Sequence, residues 1–321
     1  MEPPGPRERP LLAVFAPSPI VTVVLEASPS GDDEIHLHAG GQGFWVSRMA
    51  ALLGSAVTIC APLGGESGEV LRGLIGAPGV ILRAVGTATT NGCYVEDRRS
   101  GERQRLAAVS SSALQRHEID DLYGAMMATA MTSDAAVLTG PEHEGVVSGD
   151  VYRRLAADLR SKGIPVVADL SGTALDGVLA GGLDILKLSD EELTAIASAP
   201  LDSPRRFAEE IALLKRRGAR AVLISRAEKP AFEDVDGELL ELTGPRFEPL
   251  DHRGAGDSMV AALAVAVGRG LALPDALRLA VAAGALNVTR RGLGSGRRED
   301  IERLAGAIGV RAITVASGDP A

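Results

Sequence analysis

The chain has 321 residues, 45% of them hydrophobic and only 3% aromatic, enough for a sizeable core that alanine, valine and leucine must fill. Lysine and arginine total 33 against 42 aspartates and glutamates, and the resulting charge of −9 argues against a nucleic-acid partner, which binds a basic face. Cys60 and Cys93 make neither a disulfide framework nor metal-ligand spacing, and with no run near the ~20 apolar residues of a span, no membrane partner is expected.

The Pro-rich start, residues 1–10, lacks a signal-peptide pattern and reads as a disordered tail ahead of a single domain over 11–315; a cytoplasmic location is expected. LLAVFA (11–16) then reads as a strand buried on both faces, and AVTIC (56–60), AAVLTG (135–140), IPVVADL (164–170), DILKL (184–188) and AVLIS (221–225) read the same way. Helical periodicity fills the gaps, near 44–53, 67–75, 117–131, 149–162, 190–198 and 204–217. Strands alternating with helices imply an α/β fold of parallel βαβ units, with ligands beyond the carboxyl ends of the strands. After residue 254 come two long Ala-rich helices, near 256–269 and 274–290, and a third near 299–306.

Four segments break that rhythm. IVTVVLE (20–26), EIHLH (34–38), GCYVED (92–97) and RQRLAAV (103–109) alternate apolar and polar residues and read as half-exposed antiparallel strands. They would form a small second sheet, inserted near 20–38 and 91–109, as a lid over the main one. The basic stretch Arg290, Arg291, Arg297 and Arg298 reads as solvated surface around a glycine loop. His36 and His38 read as solvated too, with no further ligands to make a metal site.

The strongest local signal is Arg253-Gly254-Ala255-Gly256-Asp257-Ser258, directly before the helix near 256–269. Glycines there let the backbone turn sharply and bring its N–H groups to an anion, and the helix N-terminus adds a partial positive charge. An aspartate at that place can take a proton from an attacking hydroxyl while the amides stabilise a transferring phosphoryl group. The plain reading is an ordinary capped helix with Asp257 in its first turn.

GAGDSM followed by an Ala-rich helix resembles the C-terminal signature of the PfkB carbohydrate kinases, the ribokinase family. Gly40-Gly41-Gln42-Gly43, continuing to Leu53-Gly54, is similar to the family's early glycine signature, and Pro62–Gly68 to its tail. VVADLSG (166–172) and ILKLSDEEL (185–193) resemble the "DTSG … KPNEEEL" region of the 1-phosphofructokinase branch. The resemblance implies a ribokinase-like three-layer sandwich with a mainly parallel central sheet and a small β-sheet lid, usually dimerising through that lid. It implies an ATP-dependent kinase using Mg2+, with a monovalent cation as an open addition, acting on a hydroxyl of a sugar or sugar phosphate. Asp257 would be the catalytic base, and the amides of Gly254, Ala255 and Gly256 the anion hole. Glu192 matches the last position of the family's Asn-x-x-Glu element, which helps place Mg2+ and phosphate, and Ser189 stands at its asparagine. Lys187 matches the lysine of "KPN", and Ser225 falls in the Ser-x-Gly turn near the nucleotide phosphates, with Ala227 at the glycine's place. Asn287 and the loop at Gly292 resemble the adenine-side wall. The residues alone leave Glu192 open as a solvated charge, and Asn287 as a surface or capping group.

The departures from the family gather on the acceptor. Thr22 stands where an aspartate normally holds sugar hydroxyls; in GGQGFWVS, Gln42 replaces a lysine and Trp45 replaces the sugar-binding asparagine. A buried polar group supplies much of a site's specificity, so these changes rewrite the substrate more than the phosphoryl transfer. Trp45 can stack on a ring or simply fill space. Gly40 and Gly41 keep the backbone approach, and Arg105, in GERQRL, stands where phosphosugar kinases of the branch carry an arginine. The expected partner is a small-molecule acceptor. The competing reading is a nucleotide-binding sensor or regulatory subunit with little catalysis; an intact Asp257 argues against it, while Thr22 and Trp45 favour it or a changed substrate.

Overall fold

Apolar runs alternating with amphipathic stretches leave few ways to bury both: the runs pair as a parallel sheet and the helices cover its two faces. The computed structural model describes residues 8–28, 30–76, 78–235, 237–245, 247, 253–289 and 294–313. In chain order it has β1 (Leu11–Phe15), β2 (Ile20–Ala27), β3 (Asp33–Gly40), α1 (Gln42–Leu52), β4 (Ala56–Leu63), α2 (Gly65–Leu74) and β5 (Val80–Gly86). Next come β6 (Gly92–Asp97), β7 (Gln104–Val109), α3 (Arg116–Ala130), β8 (Ala135–Thr139), α4 (Gly149–Ser161), β9 (Val166–Asp169), α5 (Gly172–Gly181), β10 (Leu183–Ser189) and α6 (Asp190–Ile196). The rest is α7 (Pro204–Arg217), β11 (Ala219–Arg226), β12 (Lys229–Val235), β13 (Glu238–Thr243), α8 (Ala255–Gly268), α9 (Leu273–Asn287), α10 (Arg298–Ala305) and β14 (Gly309–Ile313).

The large sheet has ten strands in the order β14-β13-β12-β11-β10-β9-β8-β1-β4-β5. From β11 to β5 every pair is parallel; β12, β13 and β14 add an antiparallel edge. Period-two alternation splits each inner strand between two cores: Leu12 and Val14 face α1, α8 and α9, while Ala13 and Phe15 face α3, α4 and α5. The result is a three-layer α/β sandwich, as the resemblance implied. α8 lies deepest, with every residue from Ser258 to Ala266 buried, which is why it is apolar all round. The chain is already pinned at Pro10, whose carbonyl accepts from Ala56 N at 3.0 Å. No helix among the described residues is long and apolar enough to cross a membrane.

β1 lies between β4 and β8, and the sheet grows from it in opposite directions. Such a reversal opens a crevice at the carboxyl ends of the strands, where ligands bind in open α/β sheets. Over that edge stands the second sheet, in the order β3-β2-β6-β7. Its pairing corrects one expectation: β2–β3 and β6–β7 are antiparallel, but β2–β6 is parallel. Neighbouring hairpin strands must run antiparallel, whereas β6 returns from a distant part of the chain and is free of that constraint.

Helix α5 escaped the periodicity reading because GTALDGVLAG is rich in glycine, which disfavours helices. Here the glycines serve close packing. A Cβ on Gly177 would stand 2.0 Å from Gly149 O, and one on Gly149 2.2 Å from Thr173 O, so α4 and α5 meet backbone to backbone. The strands β5, β12, β13 and β14 were also missed. They lie at or near the sheet's edges, where β5 and β14 alternate exposed and half-buried residues instead of showing a buried run.

Candidate active site

Gly254 caps α8 at φ 71, a left-handed backbone that side chains resist. This turn places Ala255, Gly256 and Asp257 in the first helical turn, where N–H groups have no carbonyl one turn back and can serve an anion. Gly256 is small for another reason: a Cβ there would lie 2.7 Å from Lys187 Nζ. Lys187, near the end of β10, is buried and donates from Nζ to Asp169 Oδ2 at 3.0 Å. Burial pulls its ammonium down, but Asp169, Glu192 and Asp257 outweigh that and hold it above its ordinary value. Lys187 is therefore a buried cation beneath the helix start.

Asp257 keeps some solvent access but is enclosed by protein at the base of a cavity. Burial, reinforced by the Asp169 charge and opposed by Lys187 and Gln42, pushes its carboxyl up to about 7. Asp169 belongs to this centre and was not among the expected site residues, although it sits in VVADLSG. The missed signal was position: a carboxylate closing a parallel strand, at the edge where such sheets bind ligands.

Gln42 shows what replaced the signature lysine. Its Oε1 accepts from Gly140 N at 2.6 Å and its Nε2 donates to Asp169 O at 3.2 Å, tying the start of α1 to the ends of β8 and β9. Gly41, at φ 94, leaves no room for a side chain, since a Cβ would stand 2.5 Å from Ser18 O.

A cavity of about 430 Å³ lies between the two sheets, lined by Thr22, Gly40, Gly41, Gln42 and Trp45 together with Gly254 and Asp257. The expected acceptor residues thus meet the expected base in one place, with one exception. Arg105 is not among the lining residues: it lies over the Tyr94 ring at 4.1 Å, 3.7 Å from Glu96, and is half exposed. The arginines that do line the cavity are Arg48, Arg98, Arg103 and Arg253. Arg98 and Arg103 flank the turn between β6 and β7, a hairpin whose inner face carries Tyr94 and Glu96. His38 lines the same cavity and stacks on His36 at 6.1 Å, and no cluster of three or more metal-ligating side chains occurs among the described residues.

A smaller cavity of about 220 Å³ lies beyond Gln42, with Ser18, Glu142, Asp169, Ser171 and Glu192 on its wall. Glu192 is part of a capping box: Ser189 N donates to its Oε2 at 2.7 Å, and Glu192 N donates to Ser189 Oγ at 3.1 Å. It is neither a loose surface charge nor wholly consumed, because Oε1 has no hydrogen bond among the described residues. Ser225 stands beside Ser189 in parallel register, its Oγ donating to Leu188 O at 3.3 Å.

Asn287 is a buried bracket, which corrects its reading as a surface group. Its Nδ2 donates to Arg253 O at 2.7 Å and its Oδ1 accepts from Gly294 N at 3.0 Å, so it holds the loop before α8 against the loop after α9. With both ends of the amide engaged, it shapes the wall that the two loops form. Gly292 lies outside the described residues. Ala227 carries more than an extra methyl: it is the one non-glycine residue with positive φ among those described, at φ 47. Ala227→Gly should therefore stabilise the protein by roughly 1 kcal/mol in urea denaturation, the cost of a left-handed alanine. Unchanged or lowered stability would show that this backbone is not strained.

A model described as pfkB family carbohydrate kinase matches residues 20–300. The ATP-dependent 6-phosphofructokinase isozyme 2 of Mycobacterium tuberculosis is 31% identical over 271 residues, covering 83% of this chain and 78% of that protein. Among solved structures, phosphofructokinase-2 from Escherichia coli in complex with potassium matches with a TM-score of 0.80 at 24% identity, over 94% of this chain and 99% of that one. Arabidopsis thaliana ribokinase complexed with ribose and ATP matches with a TM-score of 0.69 at 20% identity, over 94% and 99%.

Proposed function

The chain belongs to the pfkB family of carbohydrate kinases, and from that footing we propose that it transfers the γ-phosphoryl of ATP to a hydroxyl of a sugar or sugar phosphate held in the 430 Å³ cavity. The observation that carries this reading is Asp257, a carboxyl raised to about 7 in the first turn of α8, beside the helix amides. A base with a pKa near the working pH combines the right protonation state with the most driving force for proton transfer. Asp257 takes the acceptor's proton; the amides of Ala255 and Gly256 stabilise charge on the moving phosphoryl group. Lys187 adds a fixed positive charge from beneath.

The donor set suits Mg2+. Glu192 Oε1 and neighbouring carboxylates offer few protein ligands, and Mg2+ keeps most of its waters and takes the nucleotide's phosphates for the rest. Glu192 would hold it, and when bound the ion supplies charge neutralisation at the phosphates. The test is a thermal-shift screen with ATP–Mg2+ and a panel of sugars, sugar phosphates and polyols, with ADP release read alongside. An acceptor that both stabilises the protein and drives ADP release supports the reading; an acceptor panel that leaves ATP intact opposes it.

The outer face of the small sheet supports homodimerisation. Ile35 (64% exposed), Leu37 (47%) and Val109 (60%) stand there with Val23 and Val95 on the same face. A contiguous exposed apolar face of this kind marks a contact surface. A second copy of the chain fits it, each small sheet then covering the other over its own active site. Leu37→Glu should convert a dimer into a monomer in light scattering, and an unchanged mass would place the contact elsewhere.

A further inference from the structure

The chain crosses between the small sheet and the body of the molecule four times: from β1 to β2, from β3 to α1, from β5 to β6 and from β7 to α3. Three of those crossings meet at one residue, Glu142, in the loop after β8. Its Oε2 accepts from Ser111 N at 2.7 Å on the β7–α3 crossing, and its own N donates to Ser18 Oγ at 3.0 Å on the β1–β2 crossing. Gly92, where β6 begins, passes so close that a Cβ would stand 2.9 Å from Glu142 Oε2. Gly92 N also donates to Ser111 Oγ at 3.1 Å, and His143 Nε2 lies 2.9 Å from Ser111 O. Two successive residues of one loop thus clasp the base of the small sheet.

A further contact reaches into the sheet itself. Tyr94, on β6, donates its hydroxyl to Glu142 Oε1. Tyr94 lines the large cavity and Glu142 the small one, so the bond spans the seam between them. Burial and this bond push the phenol up to about 12. Burial would raise the Glu142 carboxyl too, but Tyr94 and Ser111 hold it below its ordinary value. The phenol therefore keeps its proton and the carboxylate its charge across neutral pH, the strong form of such a bond. Glu142 also lies two residues from Gly140, whose N donates to Gln42 Oε1 at 2.6 Å, while Gln42 Nε2 donates to Asp169 O. The loop that holds the small sheet is tied to the floor of the transfer site.

We infer that Tyr94 and Glu142 are positioning residues, a latch that fixes the small sheet over both cavities and keeps bulk water from the transfer centre. Water exclusion matters because water and the acceptor compete for one phosphoryl group. With the latch open, a water oxygen bonds to the γ-phosphorus and the bond to the bridging oxygen breaks. ADP and inorganic phosphate leave, and the water's proton passes to Asp257. That consequence rests on the proposed kinase reading; the latch itself does not.

Tyr94→Phe removes only the hydroxyl and keeps the ring. In the full-length variant, hydrogen exchange at the Gly92 and Ser111 amides should quicken roughly 10-fold or more, the factor carried by one bond to a charged group, while β9 and β10 exchange as in wild type. ADP release from ATP–Mg2+ without acceptor should rise by a similar factor, and with acceptor present it should outrun the phosphorylated acceptor. Glu142→Gln keeps the volume, weakens the bond and should leak as well. The double variant should leak no faster than Glu142→Gln alone, because one latch opens once. Additive leaks would mean that Tyr94 acts without Glu142 and would overturn the pairing. Unchanged exchange at Ser111, or exchange rising equally in β9 and β10, would overturn the latch. Quicker exchange at the crossings with no added ADP release, in a protein that still phosphorylates its acceptor, would overturn the exclusion of water. A wild type that never consumes ATP, with the exchange result met, would defeat the kinase reading and leave the latch standing.

Discussion

Asp257→Asn should lower kcat by roughly 10²–10⁴-fold while ATP still raises the melting temperature. Asparagine keeps the size of the side chain but accepts no proton, so only the transfer step suffers. Two further readouts follow from the raised pKa. The wild-type rate should climb as pH rises through about 7, because only the ionised carboxylate is a base. Stability should move the other way. A carboxyl with a folded value near 7 and an unfolded value of 3.8 costs nothing below the lower value, and its ionisation opposes folding increasingly up to the higher one. Asp257→Asn should therefore be more heat-stable than wild type at pH 8, and the advantage should vanish by about pH 4. Wild-type turnover in the variant would remove Asp257 from the mechanism.

Asp169→Ala should destabilise the fold by about 3 kcal/mol, more than any other single change considered, because it strands a buried cation. Lys187 Nζ would lose its 3.0 Å partner under Gly256, in a place with little water. The paired change Asp169→Leu with Lys187→Met should restore most of that stability, since an apolar pair of similar volume avoids the desolvation cost altogether. It should not restore turnover, because the positive charge beneath the anion hole is gone. Urea denaturation of the single and paired variants measures both. A single variant as stable as wild type would mean that Lys187 relaxes to water, and the buried pair would then have no structural weight.

What was legible in the sequence follows from how local each signal is. Buried inner strands such as DILKL and AVLIS announce themselves as apolar runs, and α8 as an Ala-rich helix behind a glycine turn, because each depends on its own residues. The edge strands β5 and β14 do not, since a half-exposed edge resembles a loop in composition. Nor does α5, whose glycines look like breaks until α4 is seen pressed against them. The site divides in the same way. Asp257, Gly254 and Gly256 sit in one contiguous motif and were readable. Asp169 is defined by its partner Lys187, Gln42 by two strand ends far away in sequence, and Asn287 by two loops that only the fold brings together. Arg105 is expected from the resemblance alone; in the fold it pairs with Glu96 across β6–β7, and Arg103, in the turn before β7, lines the cavity instead.

Phosphoryl transfer from ATP with Asp257 as the base is tested most directly by following label from γ-labelled ATP, with Mg2+ and the acceptor that the thermal-shift screen selects, in wild type and in Asp257→Asn. Label should appear in the acceptor in step with ADP release in the wild type, while the variant should bind ATP but leave the label on it. Label that stays on ATP in the wild type with every stabilising acceptor, or that moves equally fast in both proteins, would contradict it.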